Sequence, residues 1–424
     1  MRIAVVGSGI SGMVAASRLH AEHEVTVFEA ADYVGGHTNT RDVFWQGRHY
    51  AIDTGFIVFN DWTYPRFMAL LDDLEVGYQD SHMSFSLRDE RSGLEYNGTS
   101  LNSLFAQRTN ALRPSFLRML SDILRFNKQA RALLQGADQG LTLGDYLDAN
   151  GYSSAFRDQY LVPMGKAIWS ASEAGMLSFP ARFFVEFFDQ HGFLNVDDRP
   201  VWQAVKGGSR EYMRKLAAPL QRRIELSTPV TGIRRDAAGV TVRTARGGVE
   251  RFDHVFIACH SDQALQILLD ATPAERAVLG AFPYQRNEAV LHTDERLLPR
   301  KKLARAAWNY HLLDDRLPGA REPAALTYDM NVLQSLDAPV RFLVTLNRGR
   351  DIDASKIIEC TTYQHPVYTP AGVAAQKRRT EISGVNRTWY CGAYWRYGFH
   401  EDGVISAEWA LAEFAASIRL AAAV

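Results

Sequence analysis

A short apolar run that stops at three spaced glycines constrains this chain more than any other feature. Residues Arg2–Val6 (RIAVV) read as a buried parallel strand. Gly7-Ser8-Gly9-Ile10-Ser11-Gly12 follows at once, then an Ala-rich helical pattern from Ile10 to Leu19, then a second strand, Glu24–Phe28, ending at Glu29-Ala30. In such a start Gly7 allows the tight turn, Gly9 lets the backbone approach a pyrophosphate, and Gly12 lets the helix lie close to the strand. The phosphates then meet unsatisfied N–H groups at the positive end of the helix. Glu29 stands where a carboxylate accepts hydrogen bonds from ribose hydroxyls, and its charge disfavours a 2′-phosphate. Strand, turn, helix, strand and acid in this order point to an ADP-containing dinucleotide. The alternative is a glycine-rich turn with no ligand.

Composition narrows the class. At 424 residues the chain is roughly twice the usual size of one compact domain, so two lobes are expected. Lys and Arg number 47 against 48 Asp and Glu, a net charge of −1, which argues against nucleic-acid binding through a global basic field. Cys259, Cys360 and Cys391 have no paired ligand spacing, so neither a disulfide scaffold nor a zinc site is indicated. No run approaches the ~18 apolar residues that span a bilayer, and the apolar N-terminus is a strand, not a signal peptide. A cytoplasmic enzyme is expected.

Soon after Glu29 comes a second glycine pair, Gly35-Gly36, followed by His37-Thr38. A nicotinamide domain has no mechanical need for it, whereas a longer flavin cofactor does. With this pair the sequence resembles the flavoprotein amine oxidase and phytoene desaturase superfamily. The resemblance continues through Ile52-Asp53-Thr54-Gly55-Phe56-Ile57, similar to a D-x-G segment beside the flavin ring, and through Val205–Arg210, similar to the family's GG-turn-helix. It includes Val230, whose backbone meets the adenine in the family, and closes on Trp389-Tyr390-Cys391-Gly392-Ala393 with Glu401-Asp402-Gly403-Val404. It implies non-covalent FAD held by these segments. It also implies an α/β fold: a Rossmann-like FAD-binding domain of the glutathione-reductase and amine-oxidase type, interleaved with an α+β substrate domain. The FAD lobe would comprise residues 1–75, 195–285 and 380–424, and the substrate lobe residues 76–194 and 286–379.

The departures are as informative as the matches. Ala393 stands where many members have an acid, and His37 where they often have Arg, so His37 and Thr38 become candidate donors to the cofactor's pyrophosphate and ribityl. Gly403-Val404, read as the start of a last helix (Val404–Ser417) with Asp402 as its N-cap, would offer N–H groups to the reduced ring. Aligning on Glu401-Asp402-Gly403 puts His400 where amine oxidases place an aromatic side chain over the flavin. His400, with Tyr397 and Tyr394 nearby, is therefore the candidate catalytic group, a structural histidine being the alternative. Cys360 superficially resembles a flavin-linking cysteine, but its spacing differs, and a buried apolar thiol is the preferred reading.

Two stretches bear on the substrate. Ala181–Leu194 carries Phe183, Phe184, Phe187, Phe188 and Phe193, a face that is either core or the wall of an apolar tunnel. Ser103–Leu134, read as helical, sets Arg108, Arg113, Arg118, Arg125, Lys128 and Arg131 among leucines and phenylalanines against Asp122 alone. It either rests on an anionic membrane surface or is a solvated helix packed on its own lobe. The wording of Cys391–Gly403, with Tyr363-Gln364-His365-Pro366 upstream, resembles a bacterial subgroup associated with cyclopropane-fatty-acid-synthase-like methyltransferases. That subgroup includes the methylated-fatty-acyl desaturase of furan fatty acid synthesis. The resemblance implies desaturation of a methyl-branched unsaturated acyl chain and a methyltransferase partner, while the cationic stretch points to peripheral contact with the inner membrane face. Two other readings stay open: an oxidase of a small amine, and a non-catalytic FAD-binding partner of a lipid enzyme.

Overall fold

In the computed structural model, residues 1–138, 140–314 and 324–422 are described. The apolar runs at the N-terminus assemble a five-stranded parallel sheet in the order Ile224–Glu225, Glu24–Phe28, Arg2–Val6, His254–Ile257, Thr388–Tyr390. Its central strand is covered on both faces, with Ile3, Ala4 and Val5 fully buried, as a parallel sheet requires. All five strands run the same way, so Gly7, Glu29, Ala258 and Cys391 follow the strand ends along one edge. Ligands of open α/β sheets bind at that edge.

Two helices begin there. Ile10–Leu19 leaves the first strand through the glycine turn, and the last helix spans His400–Ala422. A Cβ on Gly403 would lie 2.6 Å from Ile10 Cγ2, so the two helix starts touch because residue 403 has no side chain. The last helix therefore begins four residues earlier than its sequence suggested. Asp402 sits in its first turn, not at its cap, and reaches back to accept from Phe399 N–H at 2.9 Å.

A second, seven-stranded sheet runs Ile357–Pro366, Tyr284–His292, Leu343–Leu346, Ala325–Asp329, Trp308–Leu312, Phe85–Asp89, Glu95–Asn97. It is antiparallel except where Trp308–Leu312 lies parallel to Phe85–Asp89. A small three-stranded sheet, Val230–Asp236, Gly239–Thr244 and Val249–Phe252, flanks the parallel one. The hairpin partner expected at Phe252–Ala258 is split at Asp253: its first residue ends this sheet, and His254–Ile257 joins the parallel sheet.

The stretch expected as one helix over Ser103–Leu134 is four pieces: Leu101–Leu104, a 3-10 turn at Arg108–Leu112, a helix at Pro114–Gln129 and a 3-10 turn at Ala130–Leu134. Pro114 explains the main break. It lacks an N–H and forces Arg113 into extended backbone (φ −96, ψ 107), so a helix can start at this proline but not pass through it. Among the described residues no helix is long and apolar enough to cross a membrane.

One buried ion cluster fastens the flanking sheet to the parallel one. Arg235 meets Glu275 at 2.5 and 2.9 Å and Asp270 at 2.9 Å, while Tyr390 donates to Glu275 at 2.6 Å. Arg235 and Glu275 side chains are nearly fully buried, so removing one leaves the other's charge uncompensated. Arg235→Met is expected to lower the unfolding free energy by about 3–5 kcal/mol in urea titration.

Candidate cofactor and active site

The glycine turn is shaped by what it must approach. Gly7 has φ +102, and a Cβ on Gly12 would stand 2.0 Å from Gly7 O, so the helix start can lie against the turn only with glycine there. Gly9 differs: a Cβ on it would meet nothing within 4 Å, because it faces open cavity. Across that space Gly36 brings its backbone so near that its own Cβ would be 3.3 Å from Gly9 Cα. Gly9 is also the N-cap of Ile10–Leu19 and offers no side-chain cap, which leaves the first N–H groups for a ligand. Glu29 is pinned at the next strand end, accepting from Ser8 N (2.8 Å), Ser8 Oγ (2.6 Å) and Ala31 N (2.8 Å).

From this turn a cavity of about 1240 Å³ runs between the two sheets. Its wall takes in Gly7, Ser8, Gly9, Ile10 and Ser11, then Glu29 and Ala30, Gly35, Gly36 and His37, Gly55, Phe56 and Ile57, and Val230 and Gly392. The structure thus brings together segments from both ends of the chain. Five residues expected at the cofactor are not on the wall. Gly12 packs behind the turn. Thr38 turns inward, its hydroxyl bonded to Tyr212 Oη and 3.1 Å from His400 Nε2. Asp402 pairs with Arg396 at 2.9 Å, and Gly403 and Val404 lie within the helix. Gly403 N donates to Phe399 O at 3.1 Å, so it is spent inside the helix and has no bond left for a flavin. The N–H groups of His400, Glu401 and Asp402 now occupy the first turn instead.

Asp53 of the D-x-G segment is buried beneath this region. It accepts from Ser209 N (2.9 Å) and Ser209 Oγ (2.7 Å), which clamps the Gly207-Gly208 turn onto the segment that carries Gly55 and Phe56. Burial pushes its carboxyl up to about 6 against these bonds.

Beyond the glycines the wall turns aromatic. Trp169, Phe187, Phe193, Trp308, Tyr328, Tyr368 and Tyr397 line it, and among the described residues its carboxylates are Glu29, beside the glycine turn, and the exposed Asp80. The phenylalanine helix Ala181–Gln190 divides its faces. Phe184 and Phe188 stack at 4.1 Å inside the core, while Phe187 reaches the cavity. Tyr394 and Tyr397 both line it, and Tyr397 packs on Phe183 at 4.5 Å.

His400 borders the cavity and stacks on Phe56 with ring centroids 3.5 Å apart. Its Nε2 is held by Tyr212 Oη (2.9 Å) and Thr38 Oγ1, so Nδ1 is the remaining nitrogen of the ring. Burial holds its pKa well below the usual imidazole value. Cys360 is exposed and off the cavity wall, not buried as expected.

Three further imidazoles meet here, two of them unforeseen. His37 lies 5.3 Å from His365 and 6.1 Å from His260, and His260 stacks on Tyr284 at 4.5 Å. Asn287 donates to His365 Nδ1 at 3.0 Å, while His37 Nε2 and His260 Nδ1 are buried with no partner. Burial lowers His37 and His260 to about 4 and His365 to about 3. The signal for His365 was present, since Tyr363, His365 and the chain between them sit on one strand, Ile357–Pro366. His260 follows a strand end and gave none.

These residues fit the FAD expected from the sequence. A glycine cradle that any side chain at Gly9 would fill, uncapped helix N–H groups and two orphaned imidazole nitrogens suit a dinucleotide's diphosphate and ribityl oxygens. The aromatic remainder suits a flat ring and an apolar reactant.

The depressed imidazoles also set an acid limit. Their native pKa values lie below the ordinary 6.5, so between about 6.5 and 4 the unfolded chain binds protons that the native state refuses. Stability is then lost as pH falls. His191 and His292, also lowered to about 4 by burial, act the same way. Asp53 and Asp402, raised to about 6 by burial, act oppositely, as do Glu401 and Asp329, but the lowered imidazoles, with His254, His311 and His400, outnumber them. The unfolding free energy is expected to drop by several kcal/mol from pH 7 to pH 5, roughly 2 kcal/mol per imidazole before the opposing carboxylates are counted, in urea titrations at the two pH values.

Residues 10–331 match the family described as Flavin containing amine oxidoreductase. A protein of Mycobacterium tuberculosis named as a flavin-containing monoamine oxidase, AofH, is 27% identical over 266 residues, 58% of this chain. That match spans about half of the relative's own length, 54%. Among solved structures, cyclohexylamine oxidase from Brevibacterium oxydans superposes with a TM-score of 0.72 at 16% identity, covering 99% of each chain. The CLA-producing fatty acid isomerase from P. acnes superposes with a TM-score of 0.69 at 18% identity, covering 97% of this chain and 98% of that one. At these identities the structures share the fold.

Proposed function

The chain belongs to the flavin containing amine oxidoreductase family, an FAD-dependent oxidoreductase with a non-covalent cofactor, and on that premise we propose that it desaturates an apolar acyl chain. The observation that carries this reading is the cavity wall: a long aromatic lining on which, among the described residues, the carboxylates are Glu29 beside the glycine turn and the solvent-exposed Asp80. The Cys391–Gly403 wording and the fatty acid isomerase among its structural relatives support the same substrate class. In this reading residues 1–75, 195–285 and 380–424 serve the cofactor, and residues 76–194 and 286–379 serve the substrate. The methyl branch of such a chain is made by methyl transfer, so a methyltransferase is the class of enzyme that supplies it.

The protein's own groups divide the work. The Gly7–Ser11 turn, Glu29, Gly36 and His37 hold the nucleotide and diphosphate. When bound, FAD supplies a two-electron acceptor for hydride. Phe187, Tyr368 and Tyr397 exclude water from the acyl chain and keep it extended. His400 Nδ1 takes the proton from the carbon next to the one that loses hydride, and Nε2 stays fixed by Tyr212 and Thr38. Loss of one hydride and one proton leaves a new C=C bond.

A second reading, oxidation of a small amine, is favoured by the names of AofH and cyclohexylamine oxidase and by the Tyr368 and Tyr397 rings on the cavity wall. Anaerobic mixing separates the two. Methyl-branched unsaturated acyl phospholipids are expected to bleach the flavin absorbance and to gain conjugated-diene absorbance. Bleaching by an amine panel and not by the lipids would overturn the acyl reading.

A further inference from the structure

We propose that a leucine-studded cationic face, built by residues 101–128 and the turn 300–303, docks on the surface of an anionic phospholipid bilayer and feeds the cavity mouth. Five leucines on these segments are exposed: Leu101 is 78% exposed, Leu112 85%, Leu124 61%, Leu303 49% and Leu117 46%. Leu117 and Leu124 are seven residues apart on Pro114–Gln129, with exposed Ser121 and Lys128 completing one stripe along that helix. Exposed leucines on adjoining segments, set among cations, are the composition that binds a membrane surface.

The cations share the scaffold. Arg108, Arg118 and Lys128 are exposed on the helical segment, and Arg300, Lys301 and Lys302 on the turn. That turn is tied to the strand Glu95–Asn97, which leads into the helical segment: the backbone N–H groups of Arg300 and Lys301 donate to the two carboxylate oxygens of Glu95 at 3.0 and 2.9 Å. Phe116 of the helix packs on Tyr96 at 5.7 Å and on Phe105 at 5.8 Å, which joins helix, hairpin and turn into one unit. Between residues 98 and 137 Asp122 is the lone acid. It is buried and held between Arg118 (3.3 Å) and Arg125 (3.1 Å), so it presents no charge to repel a headgroup.

Charge chooses the occupant. A second copy would set two cationic faces against each other, whereas anionic headgroups neutralise the arginines and lysines while the leucines enter the acyl boundary. The position of the face gives it a purpose. Gly98 and Thr99 are exposed and also line the cavity, and only Ser100 separates them from Leu101. One opening of the cavity therefore adjoins the docking face.

This deepens the acyl-chain reading, but its readout is partition and not flavin reduction, so the two fail separately. The experiment is co-sedimentation of the flavin-loaded protein with phosphatidylcholine vesicles, with and without phosphatidylglycerol. Wild type is expected to sediment with the anionic vesicles alone and to be released by high salt. Leu117→Glu/Leu124→Glu and Lys301→Glu/Lys302→Glu, all at exposed positions, are each expected to lower the partition at least ten-fold, with flavin absorbance and circular dichroism unchanged. Binding to neither vesicle, equal binding to both, or variants that bind like wild type would overturn the proposal. So would a leucine variant whose only change is loss of self-association in sedimentation velocity.

Discussion

Gly9→Val is expected to fold like wild type and to purify colourless. Its backbone, at φ −64 and ψ 177, is open to any L-residue, and a Cβ there meets no protein atom within 4 Å. The added methyls instead fill the space where the cofactor's diphosphate must approach the helix start. FAD affinity is expected to fall at least ~100-fold, about 2.7 kcal/mol, read by flavin fluorescence quenching, with the urea midpoint of the cofactor-free protein unchanged. Gly12→Val makes the contrast: its Cβ would sit 2.0 Å from Gly7 O, so it loses the cofactor and stability together. A yellow Gly9→Val protein would remove the cradle from the account.

His400→Ala is expected to keep its FAD and lose turnover. The ring borders the cavity, and the cofactor-binding turn lies elsewhere, so flavin content serves as the internal control. Removing a positioned proton acceptor costs typically 10²–10⁴-fold in rate. Anaerobic stopped-flow should show flavin reduction by the acyl substrate slowed by that factor at an unchanged dissociation constant. Tyr212→Phe removes one hydroxyl from Nε2 and is expected to cost less, about ten-fold, because Thr38 Oγ1 still holds the ring. A fall of less than five-fold in His400→Ala would reassign His400 to a packing role against Phe56.

The part of this site that could be read from sequence is the part built by neighbours along the chain. Gly7, Gly9, Gly12 and Glu29 perform one task within a single βαβ unit, so their spacing carries the geometry. The same holds for Gly35-Gly36, whose turn is closed by its own residues. What escaped reading depends on distant pairing. His365 reaches the cavity because Ile357–Pro366 pairs with Tyr284–His292, and the Asn287 amide that fixes its tautomer comes from that partner strand. The start of the last helix was misplaced for a local reason. Gly403 looks like a boundary, whereas it is there to let Ile10 approach, and Asp402 caps backward onto Phe399. Pro114 was a legible stop signal inside the cationic stretch, and the helix begins at it.

The most direct test of the account is the crystal structure of the FAD-loaded protein. In it a diphosphate is expected between the N–H groups of Ile10–Leu19 and the Gly35–His37 turn, with His37 Nε2 satisfied by a cofactor oxygen and a flavin ring reaching the wall formed by Phe56 and His400. A diphosphate bound elsewhere, or a ring that leaves His400 and the aromatic cavity untouched, would contradict it.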